Sequence, residues 1–429
     1  MKIVIATAVY HPMINGVAVF SHNLAVGLVK RGNEVMVLCP SQTGKNYTRT
    51  VDGVKTVYLK SVSAKIYPDQ VHAVPPKKKV LGMELPHIIY KDSFKVSVFP
   101  RREIKKALDK FRPDVVHIQV SDPIGLSVAS YARKERIPIV TTEHNQPEVL
   151  TEPLHVPGFV RRPVNALLSA YFVNRQSKSD YVTMPTKMAI DNLLEGKELG
   201  IPVKAVSNGV DLSNFRPGIA SPKICQKYGI PRSVPIVLYI GRVDPEKNVE
   251  MVIEAFHETL SEVPDALLVI VGDGVDKARL EKKVKTLGID KSVKFLGRVV
   301  GPDLYELYKV GSVFATASEI ETQGIVLIEA AASGLPLIAV NAGAVAEVCR
   351  DGENGYLLLP GDVDGMGEAM IEILKNKSLR EKFAKASVKI ASEHDFEHTL
   401  DEFEKIYREI QSSSIKKNKM HVLVQFGQD

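Results

Sequence analysis

The chain has 429 residues, long enough for two or three domains of usual size, and its 45% hydrophobic and 25% charged residues are an ordinary globular balance. No stretch approaches the ~18 apolar residues that cross a bilayer, and three scattered cysteines (Cys39, Cys225, Cys349) are too few for a disulfide framework or a metal cluster. The net charge of +6 hides an asymmetry: residues 1–205 carry 29 Lys and Arg against 17 Asp and Glu, a net of +12, and the remainder is net −6, so one half is expected to meet an anionic membrane or a nucleic acid.

The first apolar run, Met1 to Ala6, gives way at once to Tyr10-His11-Pro12 without a cleavage pattern and reads as a buried strand rather than a signal peptide. With the cysteine usage this places the protein in a reducing, cytoplasmic setting. Val- and Ile-rich runs at 2–8, 34–39, 114–118 and 137–141 lack period-2 polarity, as strands buried on both faces do. Helical patterns at 17–31 and 101–111 lie between them. The rhythm restarts after residue 200, with strands at 236–240, 266–271, 293–296, 312–316 and 336–340 and helices at 247–260, 276–287 and 324–333. Such alternation predicts two doubly wound, Rossmann-like α/β domains, 1–200 and 201–395. A last long helix is expected at 396–412, followed by a frayed tail over 413–429.

Ligands of open parallel sheets bind beyond the carboxyl ends of the strands. The strand at 236–240 ends in Gly241-Arg242-Val243-Asp244-Pro245-Glu246-Lys247, whose two cations suit a diphosphate; the alternative is ion pairing with Asp244 and Glu246. The strand at 312–316 leads through Ser318, Glu319 and Ile320 to Glu321-Thr322-Gln323-Gly324 and a helix. Gly324 permits close backbone approach, and the helix start offers free amides to an anion. Glu329 lies inside an otherwise apolar helix, where a carboxylate needs a partner: sugar or ribose hydroxyls, or else a buried ion pair. The one Asp-x-Asp, Asp362-Val363-Asp364, reads as a helix cap rather than a metal site.

Glu321 and Glu329 enclose seven residues, an E-x7-E pattern followed by Ala330-Ala331-Ala332-Ser333-Gly334-Leu335-Pro336. In order along the chain stand Asn15-Gly16-Val17, Asp114-Val115-Val116-His117, Ser207-Asn208-Gly209-Val210-Asp211, Gly241-Arg242 to Glu246-Lys247, Val271-Gly272-Asp273-Gly274, Phe295-Leu296-Gly297 and Asp351-Gly352-Glu353-Asn354-Gly355. This ordered set resembles family 4 of the retaining glycosyltransferases. The resemblance implies the GT-B fold, two Rossmann-like domains facing a cleft, with the C-terminal helix crossing back to the first domain. It implies that Arg242 and Lys247 bind the donor diphosphate and that Glu329 holds the ribose. Glu321, helped by Thr322, Gln323 and Gly324, would hold the donor sugar; Gly16 would bring a loop to the phosphates, and His144 would face the reacting sugar. Metal-free, configuration-retaining hexosyl transfer from a nucleotide-diphosphate sugar, UDP-glucose, is the activity expected, with no cofactor. Two stations depart from the pattern: Asn15-Gly16 stands where many members have two glycines, and Ile118-Gln119-Val120-Ser121-Asp122-Pro123 follows His117 where many have a second His or an acidic residue. Both bear on the acceptor side.

The Glu-Thr-Gln-Gly form resembles the branch of diacylglycerol glucosyltransferases and sulfolipid synthases, implying a lipid acceptor. In helix 101–111, Arg101/Lys105 and Arg102/Lys106 flank an Ile104, Leu108 and Phe111 face, near Lys77-Lys78-Lys79, Lys91 and Lys95. Between 158 and 178, Val160, Val164, Leu167, Leu168, Tyr171 and Phe172 form an apolar stripe flanked by Arg161, Arg162, Arg175 and Lys178. Such basic amphipathic helices dock on anionic membranes, the alternative being core-facing helices with a solvated face. A first, acceptor- and membrane-facing domain and a second, nucleotide-sugar domain are therefore expected, with peripheral membrane association. Alternatives are a soluble or polysaccharide acceptor and a phosphatidylinositol-type mannosyl transfer. A nucleic-acid partner is not expected, because no binding module or aromatic-basic interleaving is present. An inactive scaffold would have no need of Arg242, Lys247, Glu321 and Glu329 together.

Overall fold

The computed structural model describes residues 1–11, 13, 16–63, 72–73, 88–89, 95–119, 122–144, 158–196 and 198–426; for 72–73, 88–89, 158–162 and 415–426 it describes the backbone alone. Two compact units emerge. One is built from the described residues of Met1–Asp69, Asp92–Asn208 and Glu397–Asp429, the other from those of Gln70–Lys91 and Gly209–Phe396.

The second unit carries a six-stranded parallel sheet. From edge to edge its strands are Val293–Gly297, Leu267–Val271, Ile236–Ile240, Val313–Thr316, Leu337–Val340 and Gly355–Leu358. Numbered along the chain this is the doubly wound order 3-2-1-4-5-6, which reverses direction between Ile236–Ile240 and Val313–Thr316. The unbroken apolar runs have a simple cause. Val237 and Tyr239 pack into one core layer with the helix Val249–Thr259, while Leu238 and Ile240 pack into the opposite layer with Ile325–Ala332. Both faces are covered, so neither set of alternate residues is polar.

The first unit carries an eight-stranded sheet: Val203–Ala205, Tyr181–Met184, Ile139–Thr142, Val115–Ile118, Lys2–Ala6, Glu34–Pro40, Val54–Leu59 and Tyr47–Val51. All neighbours are parallel except the last two, which form a hairpin. Its two-residue turn is Asp52-Gly53, with φ of 48° and 78°, the left-handed pair that a tight hairpin twist demands. The predicted strands and helices of both units are present with ends shifted by one or two residues. The hairpin, Tyr181–Met184, Val203–Ala205 and Gly355–Leu358 are additional.

The C-terminal helix runs from Phe396 to Phe426, not to 412; the stretch expected as a frayed tail continues it as far as Phe426. No glycine or proline interrupts 396–426, and the Ser412 and Ser413 hydroxyls donate back to the Arg408 and Glu409 carbonyls instead of breaking the turn. The helix belongs to the first unit. Its Phe403 and Tyr407 rings lie 5.0 and 5.7 Å from His117, and Arg31 pairs with Glu397 and Asp401 at 2.5 and 2.7 Å. All three cysteines are buried and free. Among the described residues no helix is long and apolar enough to cross a membrane.

Candidate functional site

The reversal point of the second sheet separates two strands whose carboxyl ends carry the two predicted loops. After Ile240, the chain turns through Gly241 and Arg242 into a short 3-10 turn, Pro245–Lys247, and Asn248 at φ 44° starts the next helix. After Thr316, it runs through Ser318 and Glu321 to Gly324, at φ 74°, where the helix Ile325–Ala332 begins. A Cβ at Gly324 would lie 2.9 Å from Leu327 Cδ1, so both the backbone angle and the space select glycine.

The topology brings Lys247 and Glu321 together across 74 residues. Lys247 Nζ donates to Glu321 Oε1 at 2.7 Å, to Ser318 Oγ at 3.1 Å and to the Ile320 carbonyl at 3.2 Å. Both side chains are only 15% and 17% exposed, so the pair is shielded and aimed rather than solvated. Arg242 is held on its own loop by Asp244 and by Glu246 at 2.5 Å, the ion pairing weighed as the alternative to a phosphate role. The other oxygen of Asp244 accepts from Val275 N at 3.0 Å, which pins the carboxylate and so fixes the guanidinium. Tyr239, at the strand end, donates to the Arg242 carbonyl at 2.6 Å.

Among the described residues Glu329 has no ion-pair partner. The Tyr308 hydroxyl donates to its Oε2 at 2.6 Å. Burial pushes the Glu329 carboxyl up to about 7, against a smaller downward effect of that hydrogen bond. Tyr308 is fully buried against Phe215 and Phe314, and its own hydroxyl is pushed well up by burial. Gly343 completes the Glu321 loop. At φ 53° its hypothetical Cβ would lie 2.6 Å from the Glu321 carbonyl, the oxygen that accepts from Ala344 N at 3.0 Å. Thr322 is half-buried and Gln323 buried. Asp362 caps the helix Val363–Lys375 by accepting from Gly365 N at 3.0 Å, as read from the sequence. Among the described residues no group of three His, Cys, Asp or Glu side chains is arranged for a metal.

In the first unit, Gly16 is exposed as the first residue of the helix Gly16–Lys30; Asn15 lies outside the described residues. His144 stands just beyond the strand Ile139–Thr142, 7% exposed, with its Nε2 2.7 Å from Gln119 Oε1 and the Phe20 ring edge-on at 5.3 Å. Burial lowers its pKa to about 4, so the ring is neutral at pH 7. Tyr308, Gly343 and Gln119 were not singled out as site residues by sequence reasoning. Tyr308 sits in an apolar helix pattern, and nothing local marks its hydroxyl as a carboxylate partner.

The helix Arg101–Phe111 has the expected faces: Ile104, Leu108 and Phe111 are buried, and Arg101, Arg102, Lys105 and Lys106 are exposed. The stripe expected on the helix Gly158–Gln176 divides. Leu168 and Phe172 pack with Met184, Ala189 and Leu193, whereas Leu167 and Tyr171 are 72% and 44% exposed. The side chains of Val160, Arg161 and Arg162, and Lys77-Lys78-Lys79 and Lys91, lie outside the described residues.

Two doubly wound units with this loop chemistry are the architecture of a GT-B glycosyltransferase. The Glycosyltransferase Family 4 profile matches residues 14–214, and the profile described as Glycosyl transferases group 1 matches residues 221–389. The chain belongs to family 4 of the glycosyltransferases and is an enzyme, a hexosyltransferase. It is 28% identical to the alpha-monoglucosyldiacylglycerol synthase of Acholeplasma laidlawii over 83% of this chain and 84% of that one. It is 26% identical to the N-acetyl-alpha-D-glucosaminyl L-malate synthase of Bacillus anthracis over 96% and 98%. The crystal structure of Anabaena HepE in complex with UDP-glucose matches 96% of this chain and 100% of that one, with a TM-score of 0.67 at 19% identity.

Proposed function

We propose that this glycosyltransferase moves glucose from UDP-glucose to a diacylglycerol-type lipid at an anionic membrane surface, with retention at the anomeric carbon. The observation that carries the donor half is the Lys247–Glu321 pair at the sheet's reversal point, a shielded cation and carboxylate held 2.7 Å apart. In this reading Glu321 accepts hydrogen bonds from the donor-sugar hydroxyls, with Thr322, Gln323 and the Gly324 backbone beside it. Lys247 and Arg242 meet the diphosphate, and Glu329 holds the ribose. Gly16 lets backbone approach the phosphates, and His144 hydrogen-bonds the reacting sugar.

The chemistry follows from charge. As the bond from the anomeric carbon to the phosphate oxygen breaks, negative charge grows on the diphosphate and meets cations already fixed in place. The acceptor hydroxyl forms its bond on the same face and passes its proton to the departing phosphate. No side chain serves as covalent nucleophile, and the proposed chemistry calls for no metal. The lipid half is supported by the likeness to a glucosyldiacylglycerol synthase, the +12 charge of residues 1–205 and the exposed Leu167 and Tyr171. The near-full-length likeness to a malate glycosyltransferase favours a second reading, a small soluble hydroxy acid as acceptor.

The test is transfer from a panel of radiolabelled nucleotide sugars, with and without diacylglycerol in anionic liposomes. Label from UDP-glucose in the lipid phase is expected. Donor hydrolysis without lipid product, together with transfer to malate, would replace the lipid reading with the soluble one. No turnover of any nucleotide sugar would overturn both.

A further inference from the structure

We propose that Gln119 is a positioning residue for transfer: its side-chain oxygen fixes the tautomer and ring orientation of His144, and a buried chain through His117 to Tyr407 holds Gln119 in register. This rests on the assignment of His144 to the reacting sugar made above. Gln119 and His144 stand beyond the carboxyl ends of adjacent parallel strands, Val115–Ile118 and Ile139–Thr142. The Gln119 backbone is tied to the first strand of the sheet, its N–H donating to the Ala6 carbonyl at 2.8 Å.

The proton bookkeeping gives the inference its content. Gln119 Oε1 lies 2.7 Å from His144 Nε2, and an amide oxygen only accepts. The His144 proton is therefore on Nε2, and Nδ1, which makes no hydrogen bond among the described residues, keeps its lone pair. The Gln119 amide nitrogen lies 3.1 Å from His117 Nε2 and 3.4 Å from His117 Nδ1, over the ring rather than in line with either lone pair. His117 Nδ1 is 2.6 Å from the Tyr407 hydroxyl on the C-terminal helix. Thr142 Oγ1 is 2.6 Å from His117 Nε2, backed by Thr183 Oγ1 at 2.6 Å. Turning the Gln119 amide over would reverse the His144 tautomer and present an N–H where His144 now presents a lone pair. His117, Gln119, Thr183 and Tyr407 are wholly buried and Thr142 nearly so, away from bulk solvent, so the loss of a partner is costly. Burial holds both imidazoles neutral, His144 at about 4 and His117, with a smaller contribution from His144, at about 3. Gln119 thus decides whether His144 accepts or donates a hydrogen bond, and it does so without touching substrate.

The experiment uses the full chain with ¹⁵N-labelled histidine. Long-range ¹H–¹⁵N correlation identifies the protonated ring nitrogen of His144, its signals assigned by their loss in His144→Ala. Wild type is expected to carry the proton on Nε2. Gln119→Leu is expected to mix the tautomers and lower kcat about tenfold or more while the KM for the nucleotide sugar stays within about twofold. Gln119→Glu, which keeps the accepting oxygen, is expected to restore the Nε2–H signature and part of kcat. A wild-type proton on Nδ1, or a Gln119→Leu enzyme with unchanged tautomer or unchanged kcat, overturns the proposal. Should Gln119→Leu not fold, the wild-type spectrum decides alone. Full kcat in His144→Ala would overturn the role of His144 itself, a failure distinct from that of the tautomer lock, which is read without turnover.

Discussion

Glu329 shows how burial, tempered by one hydrogen bond, sets the titration range of a side chain. Burial raises its pKa from the ordinary 4.5 to about 7, so its charge changes in the neutral range. A carboxyl raised in the folded state contributes stability below 4.5 that is lost as pH rises through about 7. In the proposed ribose role, donor binding would run the other way, because hydroxyls pair best with the carboxylate. Calorimetry should find nucleotide affinity falling as pH drops through about 7. Tyr308→Phe removes the donor that favours the carboxylate, so the acid limb should move to higher pH; an unmoved limb would dissociate Tyr308 from the site. Glu329→Gln should cost about 1–3 kcal/mol of donor affinity and flatten the pH dependence of thermal stability between 4.5 and 7. Lys247 behaves unlike a solvated loop cation, whose removal would hardly disturb folding. With three hydrogen bonds and 15% exposure, its removal leaves Glu321 shielded and unpaired. Lys247→Ala should therefore lower kcat ~10²-fold or more and also cost about 1–3 kcal/mol of stability. A double-mutant cycle with Glu321→Gln should give a coupling of about 0.5–3 kcal/mol in the melting data, and additivity would show that the pair is not an energetic unit.

Elements explain what was legible in the sequence and what was not. Continuous Val and Ile runs gave away the central strands because burial on both faces leaves a plain apolar signature. Strand ends, and with them the loops of Arg242 and Glu321, were readable for the same reason. The edge hairpin was not read, although Asp52-Gly53 is a strong turn signal, because Thr48-Arg49-Thr50 is exposed and polar. Tyr181–Met184 and Val203–Ala205 are too short to stand out from their surroundings. The helix end at Phe426 was missed because serines read as breakers unless their back-bonding is seen. The partners of the site residues were invisible for a different reason: the contacts of Tyr308, Ser318 and Gly343 depend on which loops the sheet order brings together. Gly343 tests this. Its turn supports the Glu321 backbone, so Gly343→Ala, with a Cβ 2.6 Å from the Glu321 carbonyl at φ 53°, should displace Glu321 and abolish most transfer. Circular dichroism should show a folded protein with a melting temperature lowered by several degrees, since the clash is local. Wild-type kcat in this variant would mean that the Glu321 loop tolerates a shift and is not the donor-sugar clamp.

At the scale of the whole molecule the question is what the charge asymmetry does. A net of +12 over residues 1–205 against −6 over the rest favours approach to an anionic surface by one end of the sequence. Charge alone would give salt-sensitive, reversible attraction, about 1 kcal/mol for each Lys or Arg near the lipid. On a lipid surface the exposed Leu167 and Tyr171 would add a part that salt does not screen, about 1.5–3 kcal/mol for an aliphatic side chain fully buried. The two contributions are separable. Co-sedimentation with anionic liposomes should decline steeply with salt in wild type and leave a residual bound fraction. Reversing Arg101, Arg102, Lys105 and Lys106 to Glu should remove the steep part, because all four are exposed on one helix whose apolar face is already committed to the core. Leu167→Ser with Tyr171→Ser should remove the residual fraction and leave the salt slope intact. The stability of this variant should be nearly unchanged, since Leu168 and Phe172, not Leu167 and Tyr171, pack against Met184 and Leu193. If neither substitution alters lipid binding while transfer to malate proceeds, the basic half is a solvated surface and the acceptor is soluble. If both do, and transfer to diacylglycerol falls with them, the charge of the first half is what brings the transfer site to its lipid.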